Sequence, residues 1–387
     1  MNRAFSIYLD LVRFSAAFLV YLWHSSQHYL TVTRLPCSSY GHSSVIVFFV
    51  LSGFVIAYVS DTKETTLPNF AASRVSRVFS VTIPTILITL ILDAIGRIYY
   101  PEIYTYPYDH FLLRSISSLL LTNEFWLISI TSFSNVPYWS ICYEWWYYVT
   151  FALIAFLPRR FSLMMAAATL LAIGPKVILL APVWWLGVLL YRWRALQSLS
   201  VALSWWLVVG SIAGIGLFHQ SSIVDNVSAW LKGLVGNDLH RDLTFSKYFL
   251  TDYLLGLLVF INFAGMRRVA AHTARLFTLI ERPVRFLASY TFSLYLLHQP
   301  VFLFWAALIR GNPNTLAYWF YVTILTMFSI GTIGYFTENR RHLLRGWLLL
   351  RFQRWDAQLS RRVAKAPGTP AESIATIVFP SDHKHEI

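Results

Sequence analysis

A chain of 387 residues that is 57% hydrophobic and only 13% charged, with a mean hydropathy of +0.55, sits well below the roughly 25% charged content of soluble domains and reads as a polytopic membrane protein. Its 31 Lys and Arg against 18 Asp and Glu, a net +13, report topology and anionic headgroups in such a chain before nucleic acid, and no nucleic-acid function is read from them. Two cysteines, Cys37 and Cys142, cannot build a disulfide framework and have no partners at metal-ligand spacing, which leaves incidental thiols or one extracytoplasmic bridge.

The first apolar stretch, about Phe5–Gln27, is too long for a signal-peptide core and carries Asp10 and Arg13; Arg34-Leu35-Pro36-Cys37 lacks the small residues of a lipoprotein cleavage site. A retained first span is expected. Further windows of about membrane-crossing length centre on Ser44–Val59, Val78–Ile95, Pro137–Leu157, Ser162–Leu180, Pro182–Tyr191, Val201–Phe218, Phe249–Met266, Phe286–Ile309 and Leu316–Phe336. With the first, these predict an all-α polytopic transmembrane helical bundle of about ten spans, with a break at Ala181-Pro182. Phe111–Ile130, which carries Arg114, Asn123 and Glu124, reads as an interfacial helix. With a cytoplasmic N-terminus the inner connections collect Lys63, Arg74, Arg77, Arg159, Arg160, Arg192, Arg194, Arg267, Arg268, Arg275, Arg282 and Arg285. The outer ones hold only Arg34, Arg97, Arg114, Lys232, Arg241, Lys247 and Arg310, so both termini are expected to be cytoplasmic. The transmembrane domain is expected over 1–336 and a basic interfacial segment with a tail over 337–387. That segment places Arg340, Arg341, Arg345, Arg351 and Arg354 among Leu and Trp, as a helix on anionic headgroups does, and from about Pro367 it reads as disordered. There is no repeat of fixed period, and the longest outer connections, about Arg97–Val136 and His219–Tyr248, are too short for a soluble domain.

Chemistry concentrates on a few strings. His24 follows Arg13 by eleven residues in the first span; eleven helical steps return to within ~20° and rise about 16 Å, so both share one face, with Asp10 one turn below. Ionisable groups inside a membrane usually serve function; the plain alternative pairs Arg13 with Asp10 or Asp93 and makes His24 a cap. Ser140 and Glu144, four residues apart at the outer end of the fourth span, share a face at the expected depth of His24. A carboxylate that holds one imidazole nitrogen leaves the other free as a base for a hydroxyl proton. Phe48-Phe49-Val50-Leu51-Ser52-Gly53-Phe54 has the small residues of a close helix crossing. Arg74 and Arg77, three apart, aim two guanidinium groups at one anion or simply obey the positive-inside rule. His298, before Pro300, is a second mid-span histidine, a pocket donor or a satisfied core residue. The 17% aromatic content, with Trp184-Trp185 and Trp145-Trp146, suits sugar stacking and membrane-interface belts equally.

Together these strings resemble the acyltransferase-3 family of integral membrane acyltransferases over about Ser6 to Phe336. The resemblance is carried by Tyr8-Leu9-Asp10-Leu11-Val12-Arg13-Phe14 with His24, by Gly41-His42, by the Ser52-Gly53 string, by Arg74-Val75-Ser76-Arg77-Val78, by Tyr138-Trp139-Ser140 leading to Glu144, and by Ser293-Leu294-Tyr295-Leu296-Leu297-His298. Ser80 stands near where the family commonly has a proline, and no hydrolase-like domain follows the spans. The resemblance implies transfer of an acyl group, most often acetyl, from a cytoplasmic acyl-CoA to a hydroxyl of an extracytoplasmic or lipid-linked glycan, in a multi-pass protein of the cytoplasmic (inner) membrane. Acetyl-CoA would be a co-substrate, with no permanently bound cofactor and with room for a separate periplasmic partner. On that expectation His24, oriented by Glu144, is the base, Arg13 steers the donor or balances the oxyanion, and Arg74 and Arg77 hold phosphates. Ser140, His298, Asp10 and Ser52 would line the substrate path. The competing reading is a proton-coupled transporter or glycolipid flippase, with His24, Glu144 and Asp252 as a relay; a third is a non-catalytic sensor or scaffold.

Overall fold

The computed structural model describes residues 1–26, 35–312 and 315–364. Within them the chain forms sixteen α-helices and no strand. The helix α1 (Arg3–Ser25) starts where the Asn2 side chain caps the Ala4 amide, which satisfies one of the orphan donors of a helix start. It is followed by α2 (Gly41–Thr62) and α3 (Leu67–Tyr99). At 33 residues, α3 rises about 50 Å, well beyond a hydrocarbon core of about 30 Å. Its Arg74 end therefore reaches past the apolar layer or tilts through it.

Eight helices among the described residues are long and apolar enough to cross a membrane. Two of the ten expected spans fall short. The helix α5 (Trp139–Phe156) is diluted by Glu144 and a run of Trp and Tyr, and α6 (Arg159–Ile173) has only 15 residues. The break expected at Ala181-Pro182 lies instead at Gly174-Pro175. Gly174 holds a φ of +90°, open to glycine at little cost, and Pro175 begins α7 (Pro175–Arg192) at the position where its missing N–H costs nothing. Pro182 lies inside α7. The bundle continues through α8 (Val201–Gln220), α9 (Ile223–Val235), α10 (Asn237–Asp242), α11 (Phe249–His272), α12 (Ala274–Leu279) and α13 (Glu281–Ala288) to α14 (Thr291–Ile309), α15 (Leu316–Phe336) and α16 (Arg341–Ala364). The span expected from Phe286 thus begins at Thr291, after a turn. The basic segment forms α16, which lies along α3; the tail expected from Pro367 falls outside the described residues.

The end of the bundle where α1 begins carries Lys63, Arg159, Arg192, Arg267, Arg268 and Arg285 and is the basic face; the other is the far face. The interfacial helix expected over Phe111–Ile130 is shorter than that, being α4 (Phe111–Leu119). Residues 120–138 then fold inward from the far face. Asn123 and Glu124 are 1% and 2% exposed. Ser134 donates through both its amide and its hydroxyl to Asp93, and Asn135 Nδ2 donates to the Leu296 carbonyl at 2.7 Å. Irregular backbone is tolerated at membrane depth only when protein groups satisfy it in this way. Leu121, Trp126 and Phe133 in this segment hold positive φ, a conformation that costs non-glycine residues and survives only where packing enforces it.

The inward fold sets the depth of everything after it. Because α5 starts inside the bundle, Ser140 in its first turn reaches the Tyr295 hydroxyl at 2.7 Å, and Tyr295 is only five residues into α14 from the basic face. Beside it α2 and α7 cross in near contact. A Cβ on Gly53 would meet the Trp184 carbonyl oxygen at 2.0 Å, and one on Gly187 would meet that of Val50 at 2.0 Å.

Candidate functional site

The first layer is a mouth of about 290 Å³ on the basic face, where Asp10, Arg13, Arg77, Arg285, Glu338 and Arg341 converge. Asp10 accepts from Arg13 Nη1 at 3.3 Å and from Arg285 Nη1 at 3.0 Å. Glu338 caps α14, accepting from the Ser293 amide at 2.9 Å and the Ser293 hydroxyl at 3.0 Å. Of the two partners open to Arg13 from sequence, Asp10 is the one it meets, since Asp93 is bound to Ser134.

Arg13 and Arg77 also line a second, deeper layer, a slot of about 50 Å³. The slot gathers six residues singled out from sequence: Arg13, Ser52, Arg74, Arg77, Ser140 and Glu144. Glu144 Oε1 accepts from Ser52 Oγ at 2.6 Å and from the Tyr148 hydroxyl. Ser52 Oγ in turn accepts from Trp184 Nε1 at 3.2 Å, across the glycine crossing of α2 and α7. The Ser52-Gly53 string therefore serves packing and site together. Arg74 pairs with Glu64 at 2.8 Å and lies over the rings of Phe70 and Tyr148. The Arg77 guanidinium sits 5.8 Å from the Phe292 ring centroid and feels Tyr148, Glu144 and Glu338. A slot this size holds a water or two.

His24 and His298 form the third layer. His24 Nδ1 lies 2.9 Å from His298 Nε2, and His298 Nδ1 lies 3.1 Å from the Leu294 carbonyl oxygen. A carbonyl only accepts, so His298 Nδ1 carries the proton and its Nε2 is the acceptor. His24 then donates from Nδ1 and keeps a lone pair on Nε2. Bonded through Nδ1 and 6% exposed, His24 has the form of a base with one nitrogen anchored. The expected anchor, Glu144, is a correction. Glu144 is occupied by Ser52 and Tyr148 at the level of Arg77, because α5 begins deep in the bundle and not at its rim. The two histidines are separated by 274 residues, and no local spacing announces the pair. Tyr295 links the layers: it lines the slot and bonds Ser140, and its ring lies 6.4 Å from that of His298 on the same helix.

The sequence reading gave no site role to Tyr148, Tyr295, Glu64, Arg285, Glu338 or Arg341. It also missed a vestibule of about 680 Å³ at the far face. Trp23 lines this vestibule and its ring lies against that of His24, with centroids 4.7 Å apart and planes tilted by 44°. His42, also on its wall, bonds Asp252 through Nε2 at 2.9 Å. Beneath it Lys176 Nζ meets Glu124 Oε2 at 2.6 Å, and burial pushes the Glu124 carboxyl up against the pull of that ammonium. The relay of His24, Glu144 and Asp252 is thus divided among three separate pairings, with His298, Ser52/Tyr148 and His42. Cys37 is exposed, Cys142 is buried, and both are free thiols.

A protein-family model described as an acyltransferase domain matches residues 6–335 of the chain. Neither a curated protein nor a solved structure matches it.

Proposed function

The chain belongs to the acyltransferase-3 family and is a multi-pass membrane acyltransferase; from that premise we propose that it moves an acyl group, acetyl in the simplest case, from acyl-CoA to a glycan hydroxyl. The observation that carries this reading is the continuity of Arg13 and Arg77 from the mouth into the slot. The donor's phosphates sit at the mouth against Arg285, Arg341 and Arg77, where planar guanidinium forks match phosphate oxygens. Its thioester arm enters past Arg13, with Phe48, Phe292 and Tyr148 turning aside to widen the slot. The basic face is then cytoplasmic, in keeping with the positive-inside rule and with the side on which acyl-CoA is found. The membrane would be the inner one.

The acceptor hydroxyl arrives from the far face. His24 Nε2 takes its proton as the oxygen attacks the thioester carbonyl, and the tetrahedral intermediate collapses with CoA thiolate leaving. The imidazolium returns the proton to the thiolate, so the products are an O-acyl ester and free CoA thiol. His298 acts through His24 by fixing its tautomer, and Glu144 balances the positive charge of Arg77 beside the thioester.

The test uses the full chain in lipid nanodiscs with acetyl-CoA and a crude surface-glycan extract. Free thiol should rise only when extract is present, and glycan mass should grow by one acetyl group. No thiol release, together with transmembrane movement of labelled glycolipid in vesicles, would replace this reading with the flippase.

A further inference from the structure

An apolar groove of about 600 Å³ runs between α1 and α15. The helix α14 packs against both and supplies the floor through Leu294, itself 4% exposed. Phe14 and Phe18, stacked with ring centroids 6.2 Å apart, form the α1 wall. Phe286 and Tyr290, edge to face at 5.3 Å, close the end at the basic face. On the α15 wall Gly331 leaves room, since a Cβ built there would meet no atom within 4 Å. From Met327 to Phe336 the groove follows nine residues of α15, a rise of about 14 Å against a hydrocarbon core of about 30 Å. It therefore runs from the basic rim to mid-membrane, the depth of one leaflet's tails.

The rim is cationic. The Arg340 guanidinium lies over the rings of Tyr335 and Phe336, 5.2 and 5.1 Å from their centroids, and both rings line the groove. Arg282 precedes Phe286 by four residues and so shares its face of α13. Both arginines are exposed, and neither forms an ion pair among the described residues. The acids beside them are already engaged, Glu281 by Arg3 and Arg285 and Glu338 by Ser293. Successive residues thus serve different cavities, Arg341 the mouth and Arg340 the groove.

We propose that this groove binds one anionic diacyl phospholipid from the leaflet on the basic face, its tails against Phe18, Phe328 and Gly331 and its phosphate on Arg340. Tails gain little by exchanging other tails for Leu and Phe, so the groove supplies shape and the guanidinium groups supply the choice of headgroup. A second copy of the chain fits less well, because a two-fold contact through this patch would bring like charges together. The proposal needs nothing from the acyl-transfer reading.

The experiment is native mass spectrometry of the full chain in detergent, titrated with palmitoyl-oleoyl phosphatidylglycerol and, as the zwitterionic control, the phosphatidylethanolamine with the same tails. Wild type should retain one phosphatidylglycerol per chain in preference to the control, and excess inorganic phosphate should not displace it. Arg340→Gln should weaken phosphatidylglycerol about fivefold, the effect of one cation at a membrane surface, and leave the control unchanged. Gly331→Leu should weaken both lipids alike, roughly fivefold or more, as loss of about ten tail contacts does. Thermal unfolding of delipidated Gly331→Leu should match or exceed wild type, because glycine gives way to a better helix former without a clash. Equal retention of the two lipids by wild type, unchanged phosphatidylglycerol binding in both variants, displacement by inorganic phosphate, or a protein dimer in place of the bound lipid would overturn the proposal.

Discussion

The mouth on the basic face and the vestibule on the far face treat polar groups in opposite ways. At the mouth, charge meets charge: Arg13 and Arg285 share Asp10, and deeper in Arg74 takes Glu64. In the vestibule neutral oxygens stand unanswered. The difference follows from cost. An uncompensated charge in a low-dielectric interior costs several kcal/mol, whereas an orphan hydroxyl or amide oxygen costs about 1–3. Arg13, Arg285 and Arg74 are accordingly closed on internal carboxylates, while neutral oxygens can be left without a partner. A phosphate brought to the mouth would have to compete with Asp10 for Arg13 and Arg285.

The largest effect that tests this contrast lies between the two regions. His24→Ala should lower acyl transfer about 10²-fold or more while leaving acetyl-CoA affinity intact, read from initial rates of thiol release; transfer at the wild-type rate sinks the assignment of the base. Next comes the vestibule floor. Lys176→Met strands the buried Glu124 carboxylate and should cost about 3–5 kcal/mol, measured by chemical or thermal unfolding in detergent, against about 0.5 or less for Ser132→Ala. Burial already raises the Glu124 carboxyl above its usual 4.5. In the variant the folded state keeps a proton that the unfolded chain gives up above that value, so the deficit should grow as pH rises and shrink as it falls toward the ordinary carboxylate range. A pH-independent deficit would place the loss elsewhere.

At the mouth, Arg77→Lys should raise the KM for acetyl-CoA roughly tenfold or more, as loss of a charge-assisted fork does. Arg74→Lys should do less, since its fork is already engaged by Glu64. If neither moves KM, both arginines serve topology alone. The smallest effect is at the rim. Hydrogen bonds from Arg3 and then Arg285 hold the Glu281 carboxyl down to about 2 from 4.5. A depressed pKa stabilises above the unfolded value and is lost as pH falls through the folded one, so docking of α13 on α1 should weaken between about 4.5 and 2. Amide exchange in α13, corrected for intrinsic rates, should show this in wild type and be flat in Glu281→Gln.

What could be read from the sequence was whatever has a local period. The Arg13–His24 stripe, the arginine pair of α3 and the long apolar helices follow from spacing alone, and the slot does gather Arg13, Arg74, Arg77, Ser140 and Glu144. What escaped were features set by depth and by distant contacts. The segment 120–138 has the composition of an interfacial stretch, and nothing in it reveals that Asp93 and Leu296 draw it inward. Once that was missed, counting residues from the far face put Glu144 beside His24. The break was read only at Ala181-Pro182, and Pro182 turns out to lie inside α7, where a helix packed among neighbours accommodates it.

The crossing of α2 and α7 sets terms for anyone who would redesign this enzyme. With Gly53 and Gly187 each facing a carbonyl at 2.0 Å from any added Cβ, that wall cannot be thickened by a methyl group without moving Trp184, and with it the hydroxyl of Ser52 that steadies Glu144. Libraries spread evenly over the bundle would waste most of their members there. Diversity is better placed at Ser132 and Asn123 on the vestibule wall, whose side-chain oxygens have no partner among the described residues, so changes there leave that crossing untouched.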